Sequence, residues 1–454
     1  MSLRARSWSR RLRGSSALVV IASACEADAP ATTVGFAEVA PVLRSHCVGC
    51  HQPGGLSPLS LVEYEDVRAW APAIAAAVRA RTMPPIPAVA DGSCRGFRNA
   101  QWLSEEEIET LVGWAEAGAP PSAGVHDVGA LPPTPHLPSD ALTVAMPSRY
   151  VPAPTQDPAD EYRCFAIDPG IAAPSVLRAT EYIPGDPSIV HHAALYAVDP
   201  SLDLGPFTNA EAIAIMEADD PAPGWSCFGG VGALRPRSQL SGWVGGSPVV
   251  ALPADSGMTL FPGELWVLQI HYRVGPETAT AGDRTQLRVA LADDAAQRIT
   301  AVFQDPLTFA SEAGVPIADA KLDAGLADAT WSWELPAEVL WAELEAQEGA
   351  SVDRLHLVGV GPHMHTLGTA LELRVLSPSG ASSCGLEIEN WDYDWQDAYF
   401  YEEPIVIDSR DTRLQVTCHY DTSERTSPVF PGHDAGREMC GVMFYVSAND
   451  RPEH

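Results

Sequence analysis

The segment GVGPHMHTLG, residues 359–368, holds His363 and His365 one residue apart in a stretch that reads as a strand end. Side chains at i and i+2 leave a strand on the same face. The two imidazoles can therefore grip one metal ion or sit side by side on a wet surface. Three more places carry ligand-type side chains: His191 and His192 in SIVHHAALYAVD, His271 in LQIHYRV, and Met439 beside Cys440 in REMCGVMFYV. Taken singly, a strand histidine is more often structural and a methionine more often core. His191 and His192 would point to opposite faces of a regular strand, so holding one ion together requires a bulge or a strand end there.

Near the N-terminus, SHCVGCHQPGG contains Cys47-x-x-Cys50-His51, the attachment pattern of c-type haem. The spacing lets both thiols reach the two vinyl groups of one haem while the adjacent imidazole ligates the iron. The competing reading is a zinc site using Cys47, Cys50 and His46 or His51, but no second CxxC exists to complete it. Met83, in RTMPPIP, is the candidate sixth ligand, or else a core side chain. A thioether axial ligand raises the reduction potential and suits electron transfer, and the two prolines after it stiffen the loop. The segment resembles small c-type cytochrome domains, most specifically at CxxCH.

These residues need elements to position them. Residues 33–120 read as helical. EDVRAWAPAIAAAVRARTM sets Val67, Trp70, Ile74 and Val78 on roughly one helical face. SEEEIETLVGWAEAG has Ser104 as N-cap with Glu107 three residues on, an apolar stripe of Ile108, Leu111, Val112 and Ala115, and Gly118 to close it. A Pro/Gly/Ser-rich linker is expected over 121–138. From 139 onward short alternating segments take over. LWVLQIHYRV places Leu268, Ile270, Tyr272 and Val274 on one face and Gln269, His271 and Arg273 on the other; LELRVLSPSG alternates Leu371, Leu373 and Val375 before a turn. Such strands indicate antiparallel sandwiches. The length is natural for two, at 139–293 and 294–450.

A chain of 454 residues exceeds one ordinary core. Its 40 prolines and 36 glycines favour short strands and turns. A net charge of −31 argues against nucleic acid, whose phosphates such a surface repels. Only the extreme N-terminus is basic: Arg4, Arg6, Arg10, Arg11 and Arg13 precede a short apolar run ending Ala22-Ser23-Ala24-Cys25. That is an export signal over 1–25, with either plain cleavage nearby or a lipoprotein-type site where Cys25 takes the lipid. The expected location is extracytoplasmic, periplasm or cell surface, with a possible membrane tether. Nine cysteines fit an oxidising compartment.

The order of the β-region motifs adds more. His-His, Gln-x-His-Tyr, His-x-His and Glu-Met-Cys, at intervals of roughly 75–95 residues, resemble the copper type II, ascorbate-dependent monooxygenases, which include peptidylglycine α-hydroxylating and dopamine β-monooxygenases. The resemblance covers about residues 140–450. It implies a mainly β fold of two jelly-roll-like antiparallel β-sandwich domains, here preceded by the small all-α c-type cytochrome domain. It implies two copper ions beside the one haem c. His191, His192 and His271 would hold the electron-donating copper; His363, His365 and Met439 would hold the copper that activates oxygen. Three imidazoles suit both copper oxidation states, whereas a soft thioether favours Cu(I). Gln269, on the His271 face, is expected to tune it. The resemblance also implies disulfides Cys164–Cys227 and Cys418–Cys440. Cys94 and Cys384 are left over, either free or paired across domains.

The chain departs from the peptide-amidating members. Where they hold the substrate carboxylate with an arginine two residues before His-x-His, this chain has Gly361; where they use asparagine and tyrosine after Met-Cys, it has Gly441 and Met443. A peptide C-terminus would lose its charge-assisted anchor, so peptide amidation is not expected. The implied activity is insertion of one atom of O2 into a C–H bond of a small organic substrate. Electrons would come from an ascorbate-like reductant or a redox protein, entering through the fused haem. The alternative is a copper- and haem-binding electron carrier without hydroxylase activity.

Overall fold

The computed structural model describes residues 34–449 except 54–56, 58, 86–87, 89–92, 99–101, 132–134, 154–159, 228–229, 245–248, 275–281, 313–319, 394 and 434–435. The basic N-terminal signal and Cys25 lie outside the described residues. No described helix is long and apolar enough to cross a membrane.

Three helices, Phe36–His46, Tyr64–Arg79 and Glu105–Glu116, close on one core that includes Phe36, Leu43, Val67, Leu111 and Trp114. The capping box forms as its sequence dictates: Ser104 accepts from the Glu107 N–H and the Glu107 carboxylate accepts from the Ser104 N–H. The middle helix differs from expectation. Its buried stripe is Val67, Ala71, Ala75 and Val78, while Trp70 stands 48% exposed. Alanines let the neighbouring helix come close, which a tryptophan on that face would prevent.

The stretch expected as a linker is anchored at both ends. Val128 is buried in the helical core and its N–H donates to the Val62 carbonyl. Further on, His136 and the Leu137 N–H both bond the buried Glu181 carboxylate of the first β region. Apolar Val125 and Val128 drive the docking that Pro/Gly content alone would not suggest.

Two pairs of sheets follow, and the strands are overwhelmingly antiparallel. In the first pair, strands Leu142–Ala145, Gln286–Ala292, Ser175–Ile183 and Ser256–Leu260 form one layer, with Val249–Ala251 and Gln297–Arg298 attached. The facing layer runs Trp225–Ser226, Asp160–Ile167, Leu265–Arg273, Val190–Val198, Ser238–Val244. Leu177, Tyr182 and Leu287 from one layer share a core with Phe165, Leu195 and Ile270 from the other. In the second pair, Thr300–Gln304, Gly441–Ser447, Leu355–His363 and Tyr399–Ile407 face Ala329–Pro336, Arg413–Tyr420, Gly368–Leu376 and Ser382–Ile388. Their core includes Val360, Val442 and Phe444 against Trp331, Leu373 and Val416. Alternation sends Met443 and Tyr445 out of that core and into the core of the first pair, so buried apolar contact joins the two sandwiches.

The helical module is fastened to the second sandwich. Cys94 is bonded to Cys384 across 290 residues of sequence. Phe97 pairs with Tyr401 as an isolated bridge, and Arg98 donates to the carbonyls of Tyr401 and Glu402 at 2.7 Å each. Phe97 and Ala88 enter the second core. This segment thereby caps the free edge of the strand Tyr399–Ile407, which an uncovered sheet would leave open to aggregation.

Candidate metal centres

The pairing of Val190–Val198 with Leu265–Arg273 slips between Val190 and His192: Val190 lies opposite Tyr272 and His192 opposite His271. His191 is the extra residue of this bulge, so both neighbouring imidazoles turn to His271, as joint binding requires. The three Nδ1 atoms lie 3.3, 3.3 and 3.2 Å apart. A point equidistant from all three is about 1.9 Å from each, roughly the 2.0–2.1 Å at which imidazole nitrogen meets a first-row metal ion. Three acceptor nitrogens converging on one point have no hydrogen bond to share unless they carry protons, whereas a cation satisfies all of them. Burial, then the neighbouring His271 and His191, hold His192 well below the usual imidazole range, so its lone pair is available. The Arg273 guanidinium, 3.3 Å from His191 Nε2, further disfavours an imidazolium here. The donor set fits a copper ion.

Tyr162 backs this cluster, its ring stacked on His271 at 4.2 Å and 5°. Gln269 does not play the tuning role expected of it: its amide donates to the carbonyls of Cys227 and Gly230. Those carbonyls belong to the loop that Cys164–Cys227 ties to the strand Asp160–Ile167, so Gln269 braces the disulfide loop.

His363 ends the strand Leu355–His363; Met364 is fully buried in the second core, and His365 follows. Inward Met364 leaves both imidazoles on the other side, with ring centroids 5.4 Å apart. Each has its Nδ1 engaged. His363 Nδ1–H donates to Gln396 Oε1 at 2.5 Å, and Gln396 Nε2 donates to the Tyr393 carbonyl at 2.9 Å. His365 Nδ1–H donates to the Arg437 carbonyl at 3.0 Å. These bonds fix the tautomer and leave Nε2 as the lone-pair nitrogen of each ring. Burial, then His365, pushes His363 down to about 3 against the opposing pull of Gln396; burial likewise lowers His365. Both rings are neutral donors at neutral pH.

Met439 is 1% exposed. The segment that delivers it is tied to His365 by Glu438, itself 1% exposed. The Glu438 carboxylate accepts the N–H groups of His365 and Leu367, both at 2.8 Å, and that of Met439. Burial pushes this carboxyl up to about 7, although those N–H groups favour its charged form. Tyr420 donates to the Met439 carbonyl at 2.7 Å, and the next residue, Cys440, is bonded to Cys418. Two imidazole Nε2 atoms and a thioether are a donor set that would suit Cu(I).

At the two glycines that depart from the peptide-amidating pattern, the surroundings are apolar. A Cβ on Gly441 would run into the Phe303 ring. Gly361 faces Met443 and Tyr445, both buried. Beside His363 itself stands an aromatic ring, Phe303 edge-on at 6.2 Å.

In the helical module, Cys47 and Cys50 are the described cysteines outside disulfides. Burial, with Cys50 adding, pushes the Cys47 thiol up to about 12. His51 Nδ1–H donates to the Leu59 carbonyl at 3.2 Å, which leaves Nε2 as its metal-binding nitrogen. Met83 is 38% exposed rather than packed in a core. Two unbridged thiols one turn apart and an oriented imidazole are the groups a covalently held haem would need.

Comparison with known proteins bears on the second sandwich most directly. Residues 345–451 match the family described as Copper type II ascorbate-dependent monooxygenase, C-terminal domain. The comparisons support that family. The matched segment includes His363, His365 and Met439; the tri-histidine cluster lies before it. The chain is also 23% identical over 265 residues to DBH-like monooxygenase protein 2 of Mus musculus, covering 57% of this chain and 38% of that protein. It is 24% identical over 266 residues to Putative DBH-like monooxygenase protein 2 of Homo sapiens, covering 58% and 48%. The chain thus spans less than half the length of either relative. A solved structure of infectious bursal disease virus Gx strain aligns at 9% identity over 69% of this chain and 75% of that one, with a TM-score of 0.18, too low to carry an argument.

Four residues of these sites escaped the sequence reading: Gln396, Glu438, Tyr162 and Tyr393. Glu438 had a visible signal, since it opens the Glu-Met-Cys motif beside a candidate ligand, but no role was read for it. The other three come from segments remote in sequence, and only the fold brings them in.

Proposed function

We propose that the chain is an extracytoplasmic copper monooxygenase that hydroxylates a C–H bond of a small organic substrate, with electrons entering through a haem c held by residues 33–120. His191, His192 and His271 would hold the electron-relaying copper through Nδ1. His363 and His365 would hold the second copper through Nε2, with Met439 as the thioether ligand. Bound copper would supply one-electron transfer and the activation of O2. The chain's own contribution is to hold neutral imidazoles in fixed tautomers, to seat Met439 through Glu438, and to set the Phe303 ring beside His363. Cys47 and Cys50 would carry the haem, with His51 and Met83 as axial ligands. The two sandwiches, 139–293 and 294–450, would be jelly-roll-like, each contributing one copper site. Three disulfides fit an oxidising compartment; a lipid on Cys25 would tether the protein to a membrane.

The observation that carries this reading is the convergence of three Nδ1 atoms within 3.3 Å of one another. The Phe303 ring beside His363, and glycine at 361 where an arginine would be needed, support an apolar substrate over a peptide carboxylate. The test is metal and haem content of the purified protein, with His271→Ala and His363→Ala alongside. Two coppers per haem, one lost in each variant, is the expected result. Oxygen uptake that rises with an added organic compound would distinguish a hydroxylase from an electron carrier, which would yield only peroxide.

A further inference from the structure

Between the two histidine clusters runs a contact that neither needs for binding a metal. The Tyr162 hydroxyl, from the first sandwich, is hydrogen-bonded to the Tyr393 hydroxyl, from the second. Each phenol is seated on its own cluster. Tyr162 stacks flat on His271. Tyr393 stands edge-on to His365 at 6.3 Å, and its carbonyl holds the amide of Gln396, the partner of His363. The loop carrying Tyr393 is itself anchored: the Trp391 N–H donates to the Thr369 carbonyl, and Trp391 Nε1 donates to the His365 carbonyl at 3.2 Å. A continuous chain of contacts therefore leads from His271 through two phenols to both histidines of the other cluster.

We infer that Tyr162 and Tyr393 form a strut that fixes the separation of the two clusters. The apolar contact of Met443 and Tyr445 with the first sandwich joins the domains below the histidines. That interface also takes in Ala301, Val358 and Phe400, and the Ser238 hydroxyl donates to the Ala301 carbonyl; the phenol pair adds to it a link at the level of the histidines, where the separation of the clusters is set. The strut uses the hydroxyls alone, so a phenylalanine at either position keeps the ring contacts and cuts only the link. These are positioning residues: neither touches a reacting atom.

The inference rests on the proposed copper sites for its meaning, yet its test has one arm that needs no metal. In the metal-free full-length protein, Tyr162→Phe is expected to speed hydrogen exchange at the Trp391 amide and at the Trp395 amide, which donates to the Asp392 carbonyl across Tyr393, about five-fold, the factor one ordinary hydrogen bond supplies. Those amides belong to the other sandwich, so a purely local effect of the substitution would not reach them. In protein loaded with Cu(II), electron paramagnetic resonance of the wild type should give one narrow copper–copper distance. Tyr162→Phe and Tyr393→Phe should each broaden it at least two-fold with both coppers retained. Unchanged exchange together with an unchanged distance distribution would overturn the strut. If no copper binds, the functional proposal fails, and the exchange measurement alone still decides this one.

Discussion

The two histidine clusters solve the same problem by opposite means. In the first, backbone geometry does the work: a bulge at His191 turns adjacent imidazoles to one side, and the ligand nitrogens face one another directly. In the second, the strand's own irregularity lies at Val358, away from the histidines, and orientation comes from outside, from Gln396 and the Arg437 carbonyl on Nδ1 and from Glu438 on the backbone. The first cluster is therefore compact but electrostatically unrelieved without a cation. The second is rigid without one, because its tautomers and backbone are already fixed. A site that shuttles electrons benefits from geometry that barely changes, whereas a site that must admit oxygen and substrate benefits from an open side and firm supports behind it.

Removing a ligand tests the comparison at its largest scale. His271→Ala should abolish one copper equivalent and leave the His363 site loaded; His363→Ala should do the reverse. Catalytic turnover should fall by at least about 100-fold in each, more than loss of an orienting neighbour costs. Loss of both coppers in either variant would show that the clusters are not separate. Isothermal titration with copper on each variant reads this directly.

The next effect concerns what holds the second sandwich's edge. Replacing both Cys94 and Cys384 by serine removes a link across 290 residues, against 22 for Cys418–Cys440. A loss of about 2–4 kcal/mol is expected, seen in urea unfolding followed by tryptophan fluorescence. The long loop is already pinned by Arg98 and Phe97, which keeps the figure below what its length suggests. No change in stability would mean that those contacts alone fasten the helical module.

Glu438→Gln and Gln396→Leu sharpen the distinction between internal and external support. Each should weaken copper at the second cluster by about 10–100-fold and leave the first unchanged. Equal losses at both clusters would erase the contrast drawn above.

The first cluster was more legible in the sequence than the second, for a physical reason. Adjacent histidines in a strand demand a bulge, and that demand follows from the period of two alone. The placement of His363 and His365 on one face was equally readable, since strand alternation fixes it. Their supports were not. Gln396 and Tyr393 lie some 30 residues beyond the histidines in an irregular loop without period, and no local signal says where such a loop folds back. The antiparallel strands followed from alternation, as in Leu371, Leu373 and Val375, all buried, whereas the expectation of two sandwiches rested on length. Trp70 misled because an aromatic at helical spacing resembles core, while the real stripe used Ala71 and Ala75. The Cys94–Cys384 bond was beyond reach, because its partners meet only after the helical module docks.

The smallest effect separates the charge of a buried pair from its geometry. Arg163, next to Tyr162 and 4% exposed, donates to Asp220 at 2.8 Å and to the carbonyls of Ala222, Pro223 and Gly224. The Arg163 bond holds the Asp220 carboxyl below its usual range. A carboxyl lowered by folding contributes stability above its unfolded pKa of ~3.9, and that contribution is lost as pH falls through the lower folded value. Asp220→Asn should thus cost about 1–2 kcal/mol at neutral pH, since three carbonyls still accept from the guanidinium. The gap to the wild type should close below about pH 4. A gap that persists unchanged into acid would mean that the substituted amide disturbs the packing of the loop itself, and that charge plays no part in bracing the strand that carries Tyr162.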